Sequence, residues 1–289
     1  MQSVSATILR WYSTAQRELP WRAPSTDAWG VYVSEIMAQQ TQVDRVAIAW
    51  HAWMQRWPNA GALAASSPAD VVRQWDRLGY PRRALWMHAA ARQMVERHDG
   101  QVPQTLEELR ALPGIGEYTA AAILAFAYGR RIPVLDVNVR RVHARVFMGD
   151  SHPTASITAA EREHHERFLP ADPETAARLS QAVMEFGALV CTARDPQCGG
   201  CPIAASCVWL QKGAPQASHA VRKQARFAGS DRQCWGAIMA VLRAAHAPVQ
   251  MSEIEAAWAD ALQRQRALDT LVSDGLVIPL ARKRFSLPD

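Results

Sequence analysis

Four of the five cysteines in this 289-residue chain fall in one short run, CTARDPQCGGCPIAASC, at Cys191, Cys198, Cys201 and Cys207. In a reducing compartment a C-x6-C-x2-C-x5-C cluster supplies metal ligands rather than disulfides, and four converging thiolates suit either a structural zinc or a cubane iron-sulfur cluster. Such a centre would tie the segment after Gly187 to the body of the protein and turn Arg194 outward. The remaining thiol, Cys234, lies outside the run and reads as a buried core residue. A second constellation lies upstream in LPGIGEYTAAAILAFAYG, residues 112–129, where Pro113, Gly114 and Gly116 force a tight turn ahead of an Ala-rich helix. Glycine there permits close approach of another backbone, and the amides opening the second helix can receive a phosphate. Twenty residues past Gly116, in VLDVNVRRVHARV, stands Asp136, which by itself reads as the N-cap of a helix starting at Val137. One absence also bears on chemistry: the only lysines are Lys212, Lys223 and Lys283, so the first 211 residues hold no side-chain amine for a Schiff base.

The elements that position these residues are helical. Side-chain oxygens precede apolar-periodic runs with a carboxylate three positions on at Thr41 with Asp44, Ser67 with Asp70, Thr105 with Glu108, Thr158 with Glu161 and Ser252 with Glu255. Strand-like alternation is nearly absent before residue 275, and an all-α bundle of about ten helices is expected through residue 210. Between 211 and 230 the run QKGAPQASHAVRKQARFAGS has linker composition. After it come a helix with Trp235, Ile238, Met239 and Leu242, a helix from Ser252, a helix with Leu268, Leu271 and Val272, and then SDGLVIPLARKRFSLP. That order of three helices and a hairpin resembles a winged helix-turn-helix, whose third helix and wing offer Arg264, Arg266, Arg282, Lys283 and Arg284 to phosphates. Net charge is +5, and residues 212–289 hold 11 basic against 7 acidic side chains, which is compatible with a polyanionic partner. No apolar run reaches the roughly 18 residues of a membrane span, and residues 1–20 lack the pattern of a secretory signal, so a cytoplasmic, nucleoid-associated location without membrane contact is expected.

A helix-hairpin-helix, an aspartate twenty residues on and the C-x6-C-x2-C-x5-C loop together resemble the endonuclease III superfamily of DNA glycosylases over residues 5–210. Within it RELPWR at 17–22, SEIMAQQTQV at 34–43 and LGY at 78–80 look like the adenine DNA glycosylase (MutY) branch. The resemblance implies the helix-hairpin-helix glycosylase fold over 1–211, with a six-helix part near 23–130 and a part built from 1–22 and 131–211, then a linker at 212–230 and a winged-helix-like α+β domain at 231–289. It favours a [4Fe-4S] cluster over zinc on the four cysteines. It implies excision of adenine mispaired with 8-oxoguanine or guanine in double-stranded DNA, by a monomer.

Adenine leaves deoxyribose poorly as an anion, so a carboxylic acid must protonate the ring at N7 while positive charge grows on the sugar. By resemblance Glu35 is that acid, kept protonated in a water-poor pocket beside Ile36 and Met37. Asp136, at a helix N-terminus, would stay ionised, stabilise the oxocarbenium ion and capture the sugar as in retaining glycosidases, supported by Tyr118 and Asn138. Gln40 and Tyr80 match residues that wedge into the duplex, and Arg17, Trp21, Arg22 and Gln181 match positions lining the adenine pocket. Gln39 lies one helical turn beyond Glu35, and Gly114 and Gly116 would meet the DNA backbone. Several positions depart from the pattern. Tyr118 stands where bifunctional relatives use a lysine, which implies a monofunctional enzyme leaving an abasic site. Pro81 replaces a second aromatic and Ala38 a leucine, and the NUDIX-like domain that reads 8-oxoguanine is expected to be missing, RFSLPD reading as a wing strand. Two rival readings remain: a thymine or uracil mismatch glycosylase, and a non-enzymatic iron-sulfur DNA-binding regulator.

Overall fold

The computed structural model describes residues 1–216 and 226–289; the stretch 217–225, inside the expected linker, lies outside the described residues. In chain order the helices are α1 (Gln2–Ala15), α2 (Ala28–Ala38), α3 (Val43–Arg56), α4 (Ala60–Ala64), α5 (Pro68–Trp75), α6 (Arg82–Arg97), α7 (Leu106–Ala111) and α8 (Glu117–Tyr128). They continue as α9 (Val137–His143), α10 (Ala159–Phe168), α11 (Pro173–Leu189), α12 (Val208–Gln211) and α13 (Asp231–Ala244). After β1 (Val249–Gln250) come α14 (Met251–Ala257), α15 (Ala261–Ser273), β2 (Ile278–Leu280) and β3 (Arg284–Ser286). No helix among the described residues is long and apolar enough to cross a membrane.

Several helix starts follow the local rule. Ser67, Thr105 and Thr158 accept the amides of Asp70, Glu108 and Glu161, and each satisfies a donor that the first helical turn leaves open. Two expected caps are displaced. The third helix starts behind Gln42, with Thr41 drawn into a side-chain network described below, and α14 starts behind Gln250, whose capping box uses Glu253 rather than Ser252 with Glu255.

The chain folds as two compact units. One comprises 1–22, 104–110 and the described residues from 115 to 216. Its core sets Val4, Ile8 and Tyr12 of α1 against Leu179, Val183 and Phe186 of α11 and Val139 and Val142 of α9. A smaller cluster joins Ala122 and Ala125 of α8 to Val134 and Ala177. This unit therefore holds the Ala-rich helix, Asp136 and the cysteine run in one body.

The other unit comprises 23–103, 111–114 and the described residues from 226 onward. Tryptophans order its centre: Trp29 donates to the Trp57 carbonyl, Trp50 to that of Gly30, and Trp53 packs edge-on to both Trp57 and Trp75. Buried indoles supply large apolar area, and the Trp29 and Trp50 N–H groups take carbonyl partners, while the buried Trp53 N–H has none among the described residues. The C-terminal residues form a three-helix unit with an antiparallel sheet in the order β1-β3-β2, pairing Val249 with Phe285 and Pro279 with Phe285. The strand β1, too short to show alternation, is the element that sequence patterning missed. Helix α13 packs on α5, with Arg243 beside Asp76 at 4.0 Å, Arg82 on Asp274 at 2.8 Å and Arg73 donating to the Ala245 carbonyl.

Candidate active site

Asp136 caps α9, as its sequence context predicts, through a 2.6 Å bond from the Val139 amide to one carboxyl oxygen. The other oxygen accepts from Asn138 Nδ2 at 2.8 Å. Asn138 is itself oriented: its Oδ1 accepts from Arg141 Nη2, which also donates to the Gly187 carbonyl, while Arg141 Nε donates to the Cys191 carbonyl. Gly187 permits this close crossing of α11 over α9, since a Cβ there would fall 2.7 Å from Asn138 Cβ and 3.0 Å from its carbonyl oxygen. Burial pushes the Asp136 carboxyl above its ordinary value, while the Val139 and Asn138 donors and the Arg141 charge pull it back. Desolvation thus outweighs the helix N-terminus, which alone would lower it. A carboxylate held in such surroundings acts on a nearby cation with little solvent screening. Tyr118 is half-buried on the first turn of α8, beside the cluster of Ala122 and Val134.

In the same unit Arg17 and Arg22 come together around a residue that sequence reasoning missed. Glu185, buried on α11, accepts from Arg17 Nε at 2.8 Å, Arg17 Nη2 at 3.0 Å, the Arg17 amide at 2.9 Å and Arg22 Nη2 at 3.0 Å. Burial would raise its pKa, but the arginine hydrogen bonds prevail and hold it at about 2. Tyr12, with Arg22 over its ring, donates to Gln181 Oε1. Trp21 lies half-buried in the short turn Pro20–Arg22. An acidic residue inside the apolar run SQAVMEFGAL was the one signal available, and only its burial reveals its partners.

In the other unit Glu35 lies half-buried on α2, between the buried Ser34 and Ile36. That helix ends at Ala38; Gln39 is its C-cap, and its side-chain amide reaches the Gly114 carbonyl at 3.4 Å. Gln40 and Tyr80 are exposed and both adopt left-handed backbone, φ 56° and 46°. Gly114, φ +78°, makes its close approach to the Trp86 side chain rather than to backbone, and Gly116 caps α8 in open space, so close backbone contact does not explain these glycines. Of the basic residues expected to face phosphate, Arg264 bonds the Trp258 and Ala259 carbonyls and Arg266 pairs with Asp231; Arg282 and Lys283 stand exposed at the wing tip.

Cys191, Cys198, Cys201 and Cys207 line one cavity with Val146, Phe186, Ile203 and Trp209. Turn bonds set their spacing: Cys201 N to Cys198 O, Ala204 N to Cys201 O and Cys207 N to Ala204 O. Arg145 braces the loop, donating to Cys191 Sγ at 3.5 Å and to the Thr192 and Ala193 carbonyls, with its guanidinium over the Trp209 ring. Burial pushes the Cys201 and Cys207 thiols up, and the neighbouring sulfurs add to it, so a cation beside them would favour their thiolates. No group of three or more His, Cys, Asp or Glu among the described residues converges as a single-ion site. Four thiols lining one apolar cavity form an all-sulfur donor set that an iron-sulfur cluster uses.

Residues 33–166 match the HhH-GPD superfamily of base excision DNA repair proteins, and residues 191–207 match the iron-sulfur binding domain of endonuclease III. The chain is 47% identical over 281 residues to the adenine DNA glycosylase of Mycolicibacterium smegmatis, covering 97% of this chain and 94% of that one. It is 45% identical over 284 residues to the adenine DNA glycosylase of Mycobacterium tuberculosis, covering 97% and 92%. Among solved structures, a thermostable thymine-DNA glycosylase superposes with a TM-score of 0.66 at 25% identity, covering 73% of this chain and 96% of that one.

Proposed function

The chain belongs to the adenine DNA glycosylases of the HhH-GPD superfamily, and we propose that it acts as a monomer on adenine mispaired with 8-oxoguanine or guanine in duplex DNA. It is a base-excision enzyme that hydrolyses the N-glycosyl bond, and a [4Fe-4S] cluster belongs on the loop 191–207. Cys191, Cys198, Cys201 and Cys207 would hold the cluster, which when bound would cross-link that loop.

The observation that carries the mechanism is the setting of Asp136. Its two carboxyl oxygens are fixed by the Val139 amide and the Asn138 side chain, in a sequence with no lysine before residue 212. A carboxylate so fixed stabilises positive charge on the deoxyribose without reorganising. Glu35 supplies the proton at adenine N7, and the base departs neutral. Water then completes the substitution at the sugar carbon, giving up its proton and leaving an abasic site with the strand intact. With Tyr118 at the position where bifunctional relatives carry a lysine, and no lysine before residue 212, strand scission needs added alkali. Arg17, Arg22, Trp21 and Gln181 shape the adenine side of the site, with Glu185 holding both arginines. Gln40 and Tyr80, on exposed strained loops, wedge into the stack to extrude the base.

The test is a single-turnover assay on 8-oxoguanine:adenine and guanine:adenine duplexes, with thymine and uracil at the target position as comparators. Wild type is expected to give alkali-dependent cleavage at adenine only. Glu35→Gln is expected to bind the duplex and release no adenine. Cleavage at thymine or uracil alone, or full activity of Glu35→Gln, would overturn the assignment.

A further inference from the structure

Arg83, on the first turn of α6, is 3% exposed and joins two loops. On one side its guanidinium donates to the carbonyls of Ile36 at 2.9 Å, Met37 at 3.0 Å and Gln39 at 2.5 Å. On the other it donates to those of Leu78 at 3.3 Å and Gly79 at 2.9 Å. Between the loops it donates to Thr41 Oγ1 at 2.9 Å, and that hydroxyl donates onward to the Leu78 carbonyl at 3.0 Å. The guanidinium also lies over the rings of Trp75, at 4.9 Å, and Tyr80, at 5.8 Å. Burial lowers its pKa to about 10, which leaves it cationic at neutral pH.

The carbonyls it binds flank the two strained residues. Gln39 precedes Gln40 and Gly79 precedes Tyr80, and each of Gln40 and Tyr80 sits in left-handed backbone. That conformation costs a side-chain-bearing residue about 1–2 kcal/mol and persists where surrounding bonds over-determine it. A planar fork of donors can serve carbonyls in two directions at once, whereas an ammonium is a point charge with three donors.

We propose that Arg83 is a positioning residue for base extrusion, holding the loops 39–41 and 78–80 in one register so that Gln40 and Tyr80 enter the duplex as a single wedge. The inference rests on the reading of those two residues as wedges. It separates extrusion of the base, which needs both loops in place, from recognition of DNA that has no base to extrude.

The test uses the whole 289-residue, cluster-loaded chain with Arg83→Lys, Tyr80→Ala, Gln40→Ala and the double variant of Arg83→Lys with Tyr80→Ala. Unstacking is read by 2-aminopurine fluorescence beside the target adenine, and binding by anisotropy on a duplex carrying a tetrahydrofuran abasic analogue. For Arg83→Lys, unstacking and base release are expected to slow by about tenfold on the intact duplex, while affinity for the abasic duplex stays within about threefold. The double variant should unstack no more slowly than Tyr80→Ala, because both changes act through one wedge. Should Arg83→Lys fail to fold, Thr41→Val removes the hydroxyl between the loops and should slow unstacking by about threefold. Equal losses on both duplexes with a lowered melting temperature would reduce Arg83 to a general structural role. Wild-type unstacking by Arg83→Lys beside a slow Tyr80→Ala would overturn the proposal alone. Wild-type unstacking by both Tyr80→Ala and Gln40→Ala would withdraw the wedge reading beneath it.

Discussion

Glu185 shows how one buried charge can organise residues that the sequence presents as separate. Arg17 and Arg22 are visible in RELPWR, yet their geometry depends on a carboxylate more than 160 positions away in sequence. With a folded pKa of about 2 against an unfolded value of roughly 4.3, Glu185 is depressed. Its contribution to stability is therefore fully present above about pH 4.3 and is lost as pH falls through about 2. Glu185→Gln should destabilise by about 2 kcal/mol at neutral pH, below the roughly 3–5 of a fully buried broken pair because the Arg17 side chain is 34% exposed. Urea titrations of wild type and variant should show that difference shrinking from pH 5 toward about pH 2. A difference independent of pH would mean that packing, rather than charge, makes Glu185 necessary. Asp136 was legible because an N-cap announces itself locally. Glu185 and Arg83 were not, because their partners are backbone carbonyls and arginines that only the folded chain brings near.

At the scale of elements, the crossing of α11 over α9 decides where Asn138 stands. The sequence offers AVMEFGALV, in which a lone glycine inside a helix is tolerated at a cost and signals nothing specific. The fold gives it a reason, because the Gly187 carbonyl accepts from Arg141 and its missing Cβ leaves room for the Asn138 backbone. Gly187→Ala should push Asn138 away and loosen its bond to Asp136. We expect a stability loss of about 1–3 kcal/mol from overpacking and a larger proportional loss in base release, about tenfold or more, with duplex affinity changed less. Single-turnover rates beside binding isotherms check it. A rate that falls no more than affinity does would place the damage in folding rather than in the carboxylate. The same scale explains the displaced helix starts. Thr41 and Ser252 satisfy the local rule for a cap, yet Thr41 Oγ1 is taken by Arg83 and Leu78, and Gln250 completes a better box with Glu253. Tertiary partners outbid a local hydrogen bond of similar strength.

At the scale of the whole molecule, composition and linker-like sequence read 231–289 as a separate winged domain. The described residues from 226 onward nevertheless share a compact unit with 23–103. Their contact joins α13 to α5, with the Arg243 side chain 13% exposed beside Asp76 and Arg82 on Asp274. The exposed pair of Arg82 and Asp274 adds little by itself, so cooperation between the two parts must come from apolar packing and from the partly buried Arg243. Ile238 on α13 is fully buried, and Ile238→Ala should cost about 2–5 kcal/mol. If 226–289 and 23–103 unfold as one cooperative body, hydrogen exchange should then accelerate both in 231–289 and in α5 and the first turn of α6, where Arg83 begins its span to the two loops. Exchange that accelerates only in 231–289 would make the C-terminal module an independent foldon, docked on the enzyme without sharing its stability. In the cooperative case a substitution on α13 slows base extrusion as well, because the helix that carries Arg83 packs on α5, which α13 contacts.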